Sequence, residues 1–395
     1  MPIRSIAYVT KLLCCLVFGY FGLISGAFGE SWKDRVYAHG FYTLDFTYSD
    51  TELGLVSIDS SSRSYEDDAA GLNNSVIGGQ VEVLINDNLS GFLQGKAFFN
   101  QDDDASTSLD WAYLSYDFGD DITVRAGKFL VPLLQGTELR SISYSRLWAR
   151  PLIPINGANG LDEYTGLELL KHIQQDSGSW QLQLSTGKPS HEEEDGEIES
   201  KNLKLLAARY QHGNFWLRAA ALHGRFSVRG ADDKVLDDSA SFIMGSLESE
   251  FIMGAYVLNL GYATSQSDII VNGSIYYASL GLQMGHITPF IFSSLSREHY
   301  DNYDEPPPPG FDDGNGPPLP DPAPLPPDPP PGDDRIRDGD YDINSIAIGV
   351  RWHAGEGYGF KIQWEKIEQK NSAGVDTDDP ANDGNTFTIL FEGVF

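Results

Sequence analysis

The last eleven residues of the sequence, Asn385–Phe395, read NTFTILFEGVF and alternate between two kinds of side chain. One series is apolar or small, at Phe387, Ile389, Phe391, Gly393 and Phe395. The series between them is mostly polar or compact, at Thr386, Thr388, Leu390, Glu392 and Val394. Successive side chains of a β-strand point to opposite faces, so this stretch predicts a strand whose two faces meet different environments.

The same period of two recurs along the chain after residue 30. Clear examples are INSIAIGVRWH at residues 343–353 and GFKIQWEK at residues 359–366. No apolar run after residue 30 reaches the roughly 20 residues that a membrane-spanning helix needs. The alternating segments predict about sixteen strands, at 35–48, 75–86, 89–100, 108–118, 121–129, 163–171, 178–187, 200–212, 213–228, 239–248, 251–266, 273–284, 286–297, 342–353, 357–369 and 385–395.

The connections between these strands alternate in length. Tight turns are predicted at 86–88, 119–121, 212–214, 249–250, 285 and 354–357, and the connections between them are long and polar. In a bilayer every backbone N–H and C=O group needs a partner, so a sheet must close on itself. The pattern therefore favours an all-β fold, a transmembrane antiparallel β-barrel with short periplasmic turns and long extracellular loops. A soluble β-sandwich is the alternative, but its loops need not be long at one end only.

Residues 1–29 have the pattern of a secretory signal peptide. Two basic residues are followed by an apolar run over residues 12–24, and the small residues Ala27 and Gly29 precede the expected cleavage site. A transmembrane anchor is the alternative, but the run is short. We therefore predict that residues 30–395 form the mature barrel.

The composition excludes some classes of function. The chain has 57 acidic against 27 basic residues, a formal net charge of −30 at pH 7. Binding to nucleic-acid phosphates needs a basic surface, so no nucleic-acid partner is expected. Strong acidity can indicate disorder, but 12% aromatic residues favour a folded chain. No P-loop, H-E-x-x-H or G-x-S-x-G pattern occurs, and we predict neither a cofactor nor an enzymatic activity.

One long connection has a more specific sequence. Residues 124–139, VRAGKFLVPLLQGTEL, and residues 143–169, SYSRLWARPLIPINGANGLDEYTGLEL, lead from one predicted strand through a loop into the next. An Arg-Ala-Gly-Lys-Phe strand before a loop with proline and acidic residues resembles the general diffusion porins of the Gram-negative outer membrane. The resemblance implies a homotrimer of sixteen-stranded barrels in the cell outer membrane, with residues 130–163 folded into each lumen as a constriction.

The resemblance also implies a passive channel for small hydrophilic solutes and ions, whose function depends on a radius and an electric field. Unlike charges across a narrow eyelet create a transverse field and weak selectivity, whose sign stays open. The alternative is that such charges form ion pairs that fix the loop to the wall. Lys96 and Lys361 should face the lumen too. The predicted constriction and pore lining consists of Arg125, Glu138, Arg140, Arg146, Arg150, Asp162, Glu163, Arg209, Arg218 and Arg351.

Residues 297–341 form a long acidic connection that contains most of the chain's 21 prolines. Proline-rich segments favour polyproline II and do not join sheets, so we predict an extracellular loop. Asp338 and Asp340 of this connection, with Asp342 just after it, are candidate Ca²⁺ ligands, although the bidentate Glu of a calcium loop is missing. Its acidic residues are also candidates for bridging lipopolysaccharide phosphates through divalent ions. The alternative is a solvated loop that shields the pore from large molecules.

Two other functions stay open at this point. A surface adhesion or scaffold barrel would use the proline-rich loop to bind its partner. An outer-membrane barrel hydrolase would need catalytic Ser/His or Asp/His residues at its outer rim, and His299 lies close to Ser294 and Ser296 in sequence. Such enzymes are shorter chains with fewer strands, so the roughly sixteen strands predicted here argue against a hydrolase.

Overall fold

The computed structural model describes residues 34–50, 55–56, 62–63, 70–71, 75–99, 105–139, 141–149, 163–189, 198–229, 235–237, 240–267, 272–300, 339–371 and 383–395. The predicted signal peptide, residues 1–29, and residues 301–338 of the proline-rich connection lie outside these ranges. Within the described ranges, no helix is long and apolar enough to cross a membrane.

Sixteen long strands form one antiparallel sheet, and each predicted strand overlaps one of them. In chain order they are β1 (Val36–Ser49), β2 (Val76–Leu84), β3 (Leu89–Phe99), β4 (Ala105–Gly119), β5 (Ile122–Leu130), β6 (Glu163–Gln175), β7 (Gly178–Pro189), β8 (Ile198–His212), β9 (Phe215–Arg229), β10 (Ser241–Met253), β11 (Tyr256–Ser267), β12 (Asn272–Leu282), β13 (Ile287–Tyr300), β14 (Gly339–Gly355), β15 (Tyr358–Asn371) and β16 (Asp383–Val394). The other described elements are short strands at Leu55–Val56, Ser62–Arg63, Ala70–Gly71 and Val235–Asp237, the helical turn α1 (Gln135–Glu138) and a 3-10 turn at Ser143–Ser145.

The sheet closes into a barrel because β1 pairs with both β2 and β16. Phe41 lies opposite Gly78 on one side and opposite Val394 on the other. At the end of this seam, the Gly40 N–H donates to the Phe395 carbonyl at 2.7 Å, and the Phe395 N–H donates to the Gly40 carbonyl at 2.9 Å. The strand predicted from the last eleven residues therefore forms one side of the seam, and the predicted closed barrel is confirmed.

The outer face of the barrel is apolar, whereas the inner face is polar or packs against the loop between β5 and β6. On β14, Ile346, Ile348 and Trp352 are 53, 52 and 50% exposed, while the alternate residues Ser345 and Ala347 are at most 1% exposed. Apolar surface this extensive is unusual on a soluble monomer but typical of the lipid-facing belt of a transmembrane barrel. The period of two in the sequence therefore reflects contact with hydrocarbon on one face.

Short and long connections lie on opposite rims of the barrel. Seven tight turns, from the one between β2 and β3 to the one between β14 and β15, share the rim where the seam ends. We call this the short-turn rim. The eight longer connections leave and rejoin the strands at the opposite rim, which we call the long-loop rim. The predicted alternation of connection lengths is therefore confirmed. The proline-rich connection is shorter at both ends than predicted, because β13 runs to Tyr300 and β14 starts at Gly339.

One predicted turn is wrong. Ser249 and Glu250 lie inside β10, and the chain reverses at Gly254, whose φ of +60° favours glycine. The sequence misled because three consecutive polar residues, at 248–250, interrupt an apolar pattern, whereas Gly254 lies among apolar residues. As a consequence, Glu248 and Glu250 belong to the lumen-facing series of β10, and Glu248 lies opposite Arg218 of β9.

Candidate functional site

A loop between β5 and β6 crosses the lumen. Its described residues, 131–139 and 141–149, are called the inward loop below. Leu133, Leu134 and Trp148 are at most 8% exposed because they pack against wall residues of β8 to β14. The loop reaches the far wall at β15, where the Ala149 N–H donates to the side-chain oxygen of Gln363 at 2.8 Å. These contacts place the loop inside the barrel.

Two cations of the wall bind the tip of the inward loop. Lys361 of β15 donates to the Ser143 carbonyl at 2.7 Å, and Arg351 of β14 donates to the Tyr144 carbonyl at 2.8 Å. Both cations also pair with Glu392 of β16, at 2.9 Å for Lys361 and 3.1 Å for Arg351. We call Glu392, Lys361 and Arg351 the Glu392 cluster. Its members are at most 6% exposed, and a buried charge without its partner costs several kcal/mol, so each member depends on the others.

A second contact binds the start of the inward loop. Arg218 of β9 pairs with the Glu138 carboxylate at 2.6 Å and donates to the Pro132 carbonyl at 2.6 Å. The hydroxyl of Ser246 on β10 donates to the Leu133 carbonyl. Because the planar guanidinium bonds two groups of the same loop, it fixes the orientation of the loop as well as its distance from the wall.

A third contact lies on the opposite part of the wall. Lys96 of β3 pairs with Asp110 of β4 at 3.1 Å and donates to the Ser141 hydroxyl at 3.1 Å. The side chains of Lys96 and Asp110 are 1 and 0% exposed, so the pair is shielded from water. The inward loop is therefore bound to three separate parts of the barrel wall.

Arg146 is a buried cation of the inward loop itself. It is 8% exposed, and its guanidinium donates to the Ala149 carbonyl at 3.4 Å. Burial lowers the pKa of Arg146 to about 10, and the carboxylate of Glu392 opposes that shift. Arg146 is therefore still protonated at neutral pH, and its field acts on the lumen next to the Glu392 cluster.

Two further arginines lie partly exposed in the lumen. Arg125 is 3.6 Å from the carboxylate of Glu168, and its guanidinium lies 5.1 Å from the ring centre of Tyr113. Arg209 lies 4.9 Å from the ring centre of Trp216. Contact with an aromatic face fixes the plane of a guanidinium without removing it from water. These arginines can therefore meet a solute in the lumen.

Comparison with known proteins identifies the fold. No protein-family model and no curated protein matches the sequence. Solved structures do match: the trimer form of OmpT from Vibrio cholerae (11% identity, TM-score 0.53, 92% of this chain and 100% of that one), the anion-selective porin of Comamonas acidovorans (13%, 0.56, 91% and 99%) and the outer-membrane channel DcaP of Acinetobacter baumannii (11%, 0.55, 92% and 98%). The chain has the fold of the outer-membrane porins. At these identities the likeness concerns the fold alone.

Within this porin fold the predicted lining residues occupy different places. Those on the lumen face are Arg125, Arg209, Arg218, Arg351, Lys96 and Lys361. Glu138 and Arg146 lie in the inward loop, whereas Arg140, Arg150 and Asp162 lie outside the described residues. Glu163 is not brought to the lumen: it alternates with the buried Tyr164 and pairs on the outer face with Lys128 at 2.5 Å. That these residues line a constriction stays a prediction.

The candidate calcium ligands are only partly described. Asp342 faces outward on β14 and pairs with the exposed Arg297 at 3.7 Å. Asp338 lies outside the described residues, and the side chain of Asp340 is not described either. Among the residues that the structure describes, no group of three or more His, Cys, Asp or Glu side chains could hold a metal ion.

The candidate hydrolase residues do not come together. Ser294 and Ser296 are buried on the lumen face of β13, whereas His299 is exposed on the opposite face of that strand. A serine nucleophile needs its base within hydrogen-bond reach, which opposite faces of a sheet do not allow.

Among the lumen carboxylates that sequence reasoning missed are Glu248, Glu250 and Glu392. The signal was present for Glu392, since it belongs to the polar series of Asn385–Phe395 and is fully buried on the lumen face. For Glu248 and Glu250 the misplaced turn hid the alternation. The partners of these three carboxylates are basic groups or aromatic hydrogen-bond donors on other elements, and the sequence alone does not show these contacts.

Proposed function

We propose that the protein is a passive channel of the Gram-negative outer membrane for small hydrophilic solutes and ions, with no bond chemistry and no cofactor. The main support for this proposal is the inward loop. A loop that is bound across a charged lumen is typical of a barrel with a restricted path for solutes, rather than of one with a packed core. The apolar outer face supports insertion in a bilayer. The proteins that share the fold, among them an outer-membrane channel and an anion-selective porin, support the same role.

The channel is weakly selective between ions. The buried wall cations have carboxylates close by: Lys361 and Arg351 share Glu392, and Lys96 has Asp110. Opposite charges at such distances largely cancel each other's field a few ångströms away, and dissolved salt screens what remains. The net field on a passing ion is therefore small.

Planar-bilayer recording tests the channel. We expect discrete openings of the reconstituted protein and, in a tenfold salt gradient, a reversal potential well below the roughly 59 mV of an ideally selective pore. A reversal potential near that limit would contradict weak selectivity. A protein that inserts into the bilayer but never conducts would refute the proposed channel.

A homotrimer is part of the proposal. The outward positions Gly79 on β2 and Gly91 and Gly95 on β3 have no side chain, although an added Cβ would meet nothing closer than 3.5 Å. The monomer therefore does not need glycine there, whereas the close approach of a second barrel would. The trimer form of OmpT, which shares the fold, supports this arrangement.

Gly95→Phe should break the trimer but not the barrel. Phenylalanine favours a strand, and its ring would point outward between barrels. The trimer fraction in detergent, measured by native mass spectrometry, should fall about tenfold if the clash costs about 1.4 kcal/mol. Ala278→Phe, at an exposed outward position of β12, is the matched control and should leave the trimer intact. Equal trimer fractions in both variants would place the subunit contact elsewhere.

Lipopolysaccharide is the proposed lipid partner at the long-loop rim. Despite the net charge of −30, the outward-facing residues near this rim include many bases. Lipid-bound phosphates attract such groups at the membrane surface. The outward bases near this rim are Lys128, Lys188, Arg225, Arg297, Lys366 and Lys370. Of these, Lys128, Arg297 and Lys366 pair with the carboxylates of Glu163, Asp342 and Glu368.

A further inference from the structure

A cavity of about 170 Å³ lies in the lumen against the inward loop, between loop residues 145–148 and the wall from β9 to β14. Cavities of about 150 Å³ admit one six-membered ring, whereas drug-sized ligands occupy about 300–1,000 Å³. The cavity therefore fits a solute of one ring. It is a recess in the proposed path rather than the whole path.

Opposite charges line the cavity in balanced numbers. Glu248 and Glu250 enter from β10, while Arg146 enters from the inward loop and Arg351 from β14. Arg351 also pairs with Glu392 at 3.1 Å, and the charge of Glu392 is offset in turn by Lys361 at 2.9 Å, so the balance holds. Because three strands separate β10 from β14, the two carboxylates and Arg351 stand on different sides of the cavity. Such a lining offers both hydrogen-bond acceptors and donors but little net attraction for an ion.

Three aromatic side chains complete the cavity, and each is held by its neighbours. Trp148 stacks on Phe292 with ring centres 5.0 Å apart. The Tyr277 hydroxyl donates to the Glu248 carboxylate, and the Trp216 indole N–H donates to the Glu250 carboxylate at 3.2 Å. Rings fixed in this way offer apolar surface at a low cost in conformational entropy.

Two donors of the lining have no described partner. The indole N–H of Trp148 and the Nε–H of Arg351 find no acceptor among the described residues, although the two side chains are only 8 and 6% exposed. Buried donors are normally satisfied, and an unsatisfied one costs about 1–3 kcal/mol. An occupant with several acceptor oxygens would suit this lining better than an apolar one.

We propose that this cavity binds a neutral ring solute with several hydroxyl groups, of monosaccharide size, as it passes through the lumen. The inference rests on the proposed channel function and names a solute class for it. The C–H faces of the ring contact the aromatic side chains, and the hydroxyl groups donate to Glu248 and Glu250. Hydrogen bonds to charged acceptors are roughly twice as strong as neutral ones, so the two carboxylates contribute most to recognition.

The test uses D-glucose as the probe on the full-length protein. Glucose should interrupt the ion current of single channels in a saturable way and shift the tryptophan fluorescence of the protein in detergent, since Trp148 and Trp216 line the cavity. Glu250→Gln should raise the half-saturating glucose concentration about tenfold, because it replaces a charged acceptor by a neutral one. Glu82→Gln, at a partly exposed lumen position of β2 outside the cavity, is the matched control and should not change it.

Charged sugars test the neutrality of the solute. Glucosamine and glucuronate keep the ring but add one positive or one negative charge, and both should bind more weakly than glucose. Tighter binding of glucosamine or of glucuronate than of glucose would overturn the inference. Open channels whose current and tryptophan fluorescence both stay unchanged by glucose would overturn it too. In that last case the channel function would stand. Protein without any openings would refute the channel function instead, and the fluorescence titration would then decide whether glucose binds.

Discussion

Glu392→Gln should release the tip of the inward loop, lower the free energy of unfolding by about 3–5 kcal/mol and raise the single-channel conductance. The substitution leaves Lys361 and Arg351 as neighbouring buried cations without their shared carboxylate. Lys361 is fully buried and binds the carbonyls of Ser143 and Trp148, at 2.7 and 3.4 Å. Moving this charge toward water relieves its desolvation, and that movement breaks both contacts with the loop.

The double variant Glu392→Gln with Lys361→Met separates the two effects. It removes one of the unpaired cations, so part of the lost stability should return, while the conductance should stay high because the loop still lacks Lys361. Denaturant unfolding in detergent and planar-bilayer recording measure the two quantities, and Glu82→Gln serves as the lumen control. Wild-type conductance and stability in Glu392→Gln would mean that the apolar contacts of Trp148 and Leu134 are sufficient to hold the loop.

The strands and their faces are predictable from the sequence because one physical cause acts on each of them. Hydrocarbon lies on one side of the sheet, so apolar residues repeat at every second position, as at Ile346, Ile348 and Trp352. The seam follows from the same cause. A strand that alternates up to Phe395 needs a partner for its backbone, and β1 supplies it.

The contacts of the inward loop are not predictable in this way, because they are non-local. Lys361 and Ser143 are 218 residues apart, and no local pattern tells which carbonyl a lysine of the wall will meet. Ends of strands are the other weak point. At Glu163 the alternating pattern is only just beginning, and at Ser249 polar residues interrupt it. A few polar residues therefore determine both predictions, a lumen position for Glu163 and a turn at Ser249, and both differ from the structure.

Ile348→Lys should lower the free energy of unfolding from lipid vesicles by about 2–4 kcal/mol, whereas Met253→Lys should cost about 0–1 kcal/mol. Both residues face outward, and they are 52 and 59% exposed. They differ in depth. Met253 borders a tight turn of the short-turn rim, while Ile348 lies four residues above Trp352, about 10 Å along the axis for a strand tilted by about 40°.

Depth is what distinguishes a bilayer from any other apolar neighbour of this face. Near the rim, a lysine of a barrel in a membrane reaches the headgroups with its flexible chain, but at mid-depth its charge stays in hydrocarbon. Ile348→Gln controls for the loss of the apolar side chain without a charge. A protein layer over the same strands would make both lysines equally costly, so equal losses at Ile348 and Met253 would remove the basis for the lipid-facing belt and, with it, for the water-filled lumen.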